Sequence, residues 1–229
     1  MSLLILAIAI AGFWASYFSP LAQLQFAHDN PWVHWHAVSA GAWVVLFVVQ
    51  THLAANQNFR LHKALGLAAL VVIPATLIFG SLLMLDFFAR LLDEGGADSL
   101  LTLRVISLIN VTNLLAITLL TGSAFALRRS NGSLHKRFML MATILFAGPA
   151  LLRIAGALPY QIVPAPLAAG VLLAILLLAS PFRSKMTTGR FHRSDILAAL
   201  LAIMVVARVP IAAFSDMWSR PSIWLASLG

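Results

Sequence analysis

The sequence predicts an all-α protein, a polytopic transmembrane helical bundle of about seven spans. Hydrophobic residues make up 61% of the chain and charged residues only 10%, with a mean hydropathy of +0.95. Its apolar runs reach about 20 residues, long enough to cross a ~30 Å hydrocarbon core. Three of these runs open on the same short phrase: Leu61-His62-Lys63, Leu134-His135-Lys136-Arg137 and Phe191-His192-Arg193. Pro74 and Pro149 interrupt the runs after the first two, which points to repeated two-helix units. Residues 1–229 read as a single integral membrane domain.

The spans fall at roughly 3–19, 32–54, 64–90, 101–127, 138–157, 163–181 and 195–214. Pro20 ends the first, and no small-residue cleavage site follows, so it reads as a retained helix and not a leader. Asn30-Pro31 opens the second as a cap with proline at the first helical position. Trp32 and Trp35 suit the interfacial belt there. Pro159, Pro164 and Pro166 blur the start of the sixth span. After the seventh, Met217-Trp218 through Ile223-Trp224-Leu225 read as an aromatic anchor lying at the outer interface.

Loop charge gives the orientation. Arg60 and Lys63, then Arg128, Arg129, Lys136 and Arg137, then Arg183, Lys185, Arg190 and Arg193 lie in alternate loops. The intervening loops hold Asp29, and then Asp93, Glu94 and Asp98. The positive-inside bias puts the amino terminus and the three histidine phrases in the cytoplasm and the carboxyl terminus outside. The same distribution accounts for the net charge of +8 without nucleic acid, because the cations sit in short loops between apolar runs.

Several chemistries are excluded. The chain has no cysteine, hence no disulfide, thiolate zinc site or iron–sulfur cluster. No glycine-rich phosphate loop or His-Glu-x-x-His occurs, and the seventh span has no lysine to hold retinal. The spans carry too few carboxylates for a di-iron site.

Two sets of residues remain as candidates. His52, His62, His135 and His192 share the predicted cytoplasmic side. Imidazoles there can ligate haem iron or another metal, with His62 and His135 as the expected pair, and the competing explanation is plain headgroup contact. On the second span, His34 and His36 point about 200° apart, while His36, Trp43 and Gln50 recur every seven residues along one face. That polar and aromatic stripe is expected to point into the bundle. The second set is charged: Asp86, Arg104, Arg153 and Arg208 lie within spans, with Arg90 close by, and Ser107, Asn110 and Asn113 extend the face below Arg104. Charges in hydrocarbon cost several kcal/mol each unless they pair or line a wet cavity, so all four are expected to converge on one outer-leaflet pocket. Guanidinium in excess over carboxylate suits a bound carboxylate or phosphate.

The run His36…Trp43…Gln50…Leu61-His62-Lys63-Ala64-Leu65-Gly66, with His135-Lys136-Arg137-Phe138-Met139 and Arg153, resembles a family of uncharacterised bacterial polytopic membrane proteins. The likeness covers the second to fifth spans and implies location in the bacterial inner membrane, without an assigned activity. A looser likeness is to membrane b-type cytochromes, which implies haem b held by histidines. Those proteins carry paired ligands inside their spans, whereas His36 and His52 bracket one helix by about 24 Å.

Three functions follow as expectations. The first is a haem-binding redox protein coupled to a quinone, with His62, His135, His36 and His52 on the cofactor. The second is a carrier or binding protein for an amphipathic anion, using Asp86, Arg104, Arg153, Arg208, Trp43 and Gln50. The third is an accessory subunit whose buried charges meet a membrane-protein partner. The lipid bilayer is the one partner common to all.

Overall fold

The computed structural model describes residues 1–25, 30–157, 164–189 and 192–229, without the side chains at 180, 183, 184, 187 and 188. Among the described residues all regular structure is helical. In chain order the helices are α1 (Ser2–Ala22), α2 (Pro31–Ala55), α3 (Phe59–Glu94), α4 (Ala97–Leu127), α5 (Gly132–Gly156), α6 (Ala165–Thr188), α7 (Arg193–Phe214) and α8 (Ser219–Ala226). Six of them, α1 to α5 and α7, are long and apolar enough to cross a membrane. The described apolar part of α6 is shorter, Ala165–Ala179. Asp29, Pro159, Arg190 and Phe191 lie outside the described residues, as does the side chain of Arg183.

The chain forms two compact units, Met1–Gly95 with Trp224–Gly229, and Gly96–Ile223. They meet in the chain at Gly95 and Gly96, with φ of +62° and +86°. Side-chain-bearing residues rarely adopt those angles, so glycine is what lets α3 stop and α4 start within two residues.

Pro20 does not end the first helix. A π-helical stretch, Trp14–Phe18, precedes it, and Ser19 N–H donates to Trp14 O. The widened turn absorbs the proline, and α1 continues to Ala22. α2 starts as predicted, with the Asn30 side chain accepting from Trp32 N–H at 2.9 Å and Pro31 in the first turn. Along α2, α3, α4 and α5, threonine and serine hydroxyls return to carbonyls of their own helix, as in Thr76 to Val72, Thr121 to Ile117 and Thr143 to Met139, all at 2.8 Å. Hydroxyls satisfied this way can sit in hydrocarbon without water.

α3 and α5 begin earlier than their apolar runs. Asn58 accepts from Leu61 N–H at 3.2 Å, and Asn131 accepts from Leu134 N–H at 3.0 Å. These caps draw the polar phrase into the first helical turns, so His62 and His135 stand on helices and not in loops. α7 starts differently. His192 is itself the N-cap, and its N–H donates to Asp195 Oδ2 at 2.7 Å. The third phrase is therefore a capping box, not a third copy of the first two.

Candidate functional site

In unit one, α2 supplies the expected stripe. Trp43 is buried beside Ser39 and Phe47. Its two neighbouring histidines diverge as the helical period requires: His34 hydrogen-bonds the Tyr17 hydroxyl of α1 at 3.3 Å, and His36 Nδ1 donates to Thr76 O of α3 at 3.2 Å. Gly80 makes room for the His36 ring, since a Cβ there would come within 2.9 Å of it. Phe79 of α3 stacks on both Trp32 and Trp35, at 6.1 and 6.0 Å. Asp86 lies in a network of its own, 2.9 Å from Arg90 and accepting from Asn30 Nδ2 at 3.0 Å.

The first two histidine phrases build one device twice. His62 Nδ1 donates to the carbonyl of Gln50, twelve residues earlier, at 3.3 Å. His135 Nδ1 donates to the carbonyl of Ala124, eleven residues earlier, at 2.9 Å. Each ring ties the start of one helix to the end of the helix before it, across the Asn-capped loop. A carbonyl only accepts, so both rings carry a proton on Nδ1, and Nε2 is the nitrogen left for any other partner. His52 is bound locally, its Nε2 accepting from Asn56 at 2.9 Å. Among the described residues no group of three or more His, Asp or Glu is arranged to hold a metal ion. The Gln50 side chain reaches toward Gly66, with its amide nitrogen and oxygen buried and unpartnered.

Unit two holds the least expected chemistry. Arg208 of α7 is only 4% exposed. Its Nη1 donates to Asn113 Oδ1 at 2.7 Å, Thr112 Oγ1 at 3.1 Å and Ile109 O at 3.2 Å, all on α4. Every one of those acceptors is neutral. No carboxylate among the described residues lies within ion-pair distance of it, and its Nε has no partner. Asn113 is held against α5 at Gly148, where a Cβ would stand 3.4 Å from Nδ2.

Beside this guanidinium runs a cavity of about 390 Å³ between α4, α5 and α7. α4 lines it from Thr112 through Leu115, Leu119 and Ser123; α7 contributes Leu197, Leu201 and Met204, and α5 contributes Phe138. Thr112 belongs to both features. On α7 the positions 197, 201, 204 and 208 share one helical face, so Arg208 continues the lining stripe. Leu115 and Leu119 are 58% and 69% exposed, which makes the cavity a groove open at the side.

The other charges have other duties. Arg104 Nη2 donates to Ala212 O and Ser215 O at 2.8 and 2.6 Å, closing the carboxyl end of α7 where its carbonyls lack helical partners. Asp216, nearly fully exposed, stands 3.6 Å away from it. Arg153, exposed near the end of α5, donates to Pro149 O of its own helix at 3.1 Å. Arg104 and Arg208 thus share the α4–α7 interface, whereas Arg153 faces its own helix and Asp86 has its partners in unit one. At the other end of α7, Arg137 meets Asp195 at 2.5 Å and Ser194 at 3.0 Å, with the Asp195 side chain 4% exposed.

Three of these residues escape the sequence reading. Asn58 and Asn131 belong to Asn-x-x-Leu-His-Lys, a longer repeat than Leu-His-Lys alone. Asp195 gives no signal beyond its place three residues after His192. Trp218, expected only as an interfacial anchor, donates to Ser107 Oγ of α4 at 2.8 Å. No protein-family model, curated protein or solved structure matches the chain.

Proposed function

We propose that this protein is an integral membrane protein that binds an amphipathic anion in the α4–α7 groove of unit two, with Arg208 on the anionic head. One observation carries this reading: a guanidinium buried in an apolar helix, held by three neutral acceptors with no carboxylate within ion-pair distance among the described residues, and hydrogen-bonded to Thr112, which lines an apolar groove. Such a charge is expensive in hydrocarbon unless a counter-ion arrives. A ligand with an anionic head and an apolar tail supplies both the counter-charge and the filling. The groove volume lies within the ~300–1,000 Å³ usual for small-molecule sites. With the orientation expected from loop charge, the head end lies toward the outer face of a bacterial inner membrane.

Binding to protein in neutral-lipid nanodiscs tests the reading. A straight-chain carboxylate should bind and raise the unfolding temperature, and the alcohol of equal length should not. In Arg208→Gln the difference between acid and alcohol should vanish. Equal binding of acid and alcohol to the parent protein overturns the proposal. Reporter fusions test the orientation: a cytoplasm-active reporter should give signal after residue 131 and none after residue 96.

A second reading has one specific support. His62 and His135, donating through Nδ1, keep Nε2 as the nitrogen that ligates haem iron, and a carbonyl on the other nitrogen is the usual orienting partner of a ligating ring. A Soret band in the purified protein that disappears in His62→Ala or His135→Ala would favour the redox function. Colourless, stable protein after haem supplementation would remove it.

A further inference from the structure

Resting on the amphipathic-anion reading, we infer that the groove accepts a single apolar chain and limits its length. The head end is fixed by Arg208 and Thr112, which are hydrogen-bonded to each other. From Thr112 to Ser123 the α4 lining advances eleven residues, about 16 Å at the helical rise. At the far end Ser123, Phe138 and Leu197 line the groove. Immediately beyond them in the chain stand Arg137 and Asp195, the buried ion pair, with Ser194 on the same guanidinium. An apolar chain cannot advance through a buried ion pair without stripping the pair of its partners, which is strongly unfavourable. The apolar path is thus bounded by charge at both ends: one with no carboxylate within ion-pair distance among the described residues and able to take an anion, the other already neutralised.

Between these ends only Thr112 and Ser123 bring hydroxyls to the lining, and the exposed Leu115 and Leu119 leave the side open. That opening lets a chain slide in from the bilayer without passing through either polar end. The volume of about 390 Å³ suits one chain and not the paired chains of a phospholipid. The head is an anionic oxygen group; a carboxylate and a single-chain phosphate ester share that chemistry.

The test is photolabelling of the full-length protein in phosphatidylcholine nanodiscs by a diazirine-bearing straight-chain carboxylate. Competitors are unlabelled carboxylates of increasing length, a single-chain phosphate ester, a two-chain phosphatidic acid and the matching alcohol. Label is expected on α4 and α7, with competition rising with chain length and then falling beyond a limit. Ser123→Trp, at an exposed position, should move that limit to shorter chains. Leu197→Phe should do the same, should the tryptophan variant fold poorly. Better competition by the phosphate ester than by the carboxylate identifies the head, and both outcomes support the inference. Competition that never falls with length, a limit unmoved in both variants, or two-chain lipid competing as well as single-chain acid overturns it. In those cases the anion reading still stands if Arg208→Gln weakens carboxylate competition by about tenfold or more. Competition by the alcohol as strong as by the acid would instead remove the anion reading itself.

Discussion

The hairpins α2–α3 and α4–α5 are built on one plan and used differently. Each has an asparagine cap, a leucine, a histidine and a lysine at the start of its second helix. In each the histidine reaches back to a carbonyl of its first helix. Each second helix then carries a proline. The two part company in the membrane interior. In unit one the polar groups are mostly spent within the hairpin, as with His36 on Thr76 O and Asp86 between Arg90 and Asn30. In unit two α4 turns Ile109, Thr112 and Asn113 to a third helix and receives a guanidinium there. What the two hairpins share is the machinery of folding back on themselves. What only one of them holds is a buried guanidinium with no carboxylate within ion-pair distance among the described residues.

The largest expected effect tests whether charge in unit two is balanced where it is claimed to be. Asp195→Ala removes the carboxylate that balances Arg137 and the α7 capping box, so unfolding stability should fall by about 3–5 kcal/mol. A change under about 1 kcal/mol in detergent unfolding would show that the pair is not buried as described. Arg208 should behave in the opposite way. In Arg208→Met the ligand-free protein should be as stable as the parent or more so, by up to about 4 kcal/mol, because an unbalanced charge leaves the interior. The same variant should lose the stabilisation that a straight-chain carboxylate confers on the parent. Strong destabilisation without ligand would reassign Arg208 to structure.

Smaller effects sharpen the contrast between the units. At Gly170 of α6 a Cβ would stand 2.5 Å from the backbone oxygen of Val205, where α6 and α7 touch. Backbone cannot step aside locally, so Gly170→Ala should cost about 1–3 kcal/mol. Gly80→Ala in unit one meets only the end of the His36 side chain, at 2.9 Å. It should cost less and should release the His36–Thr76 bond, visible in the imidazole NMR shifts. Last come the repeated histidines. His62→Ala and His135→Ala should each cost about 1 kcal/mol, the net worth of one hydrogen bond, and should match each other closely. Unequal effects in unfolding experiments would mean that one of the two rings has work beyond its hairpin.

The sequence alone determined the helical class and the repeat that shapes both hairpins. These are local matters. Apolar length, an asparagine three residues before a leucine, and proline after a polar turn act on the chain within a few residues of themselves. Even the divergence of His34 and His36 follows from the helical period. Helices α3 and α5 start ahead of their apolar runs for an equally local reason: apolarity marks where hydrocarbon begins, whereas the caps at Asn58 and Asn131 mark where the helix begins. Tertiary structure decided the rest. Asp86, Arg104, Arg153 and Arg208 read alike as charges in spans, and nothing in the chain says that Asp86 also takes Asn30, that Arg104 closes a helix end, that Arg153 bonds its own helix, or that Arg208 has no carboxylate within ion-pair distance among the described residues. Nor does it say that Asp195 belongs to Arg137, fifty-eight residues away. Partnership between charges depends on which helix faces which, and that is set by packing across the interior, not by neighbours along the chain.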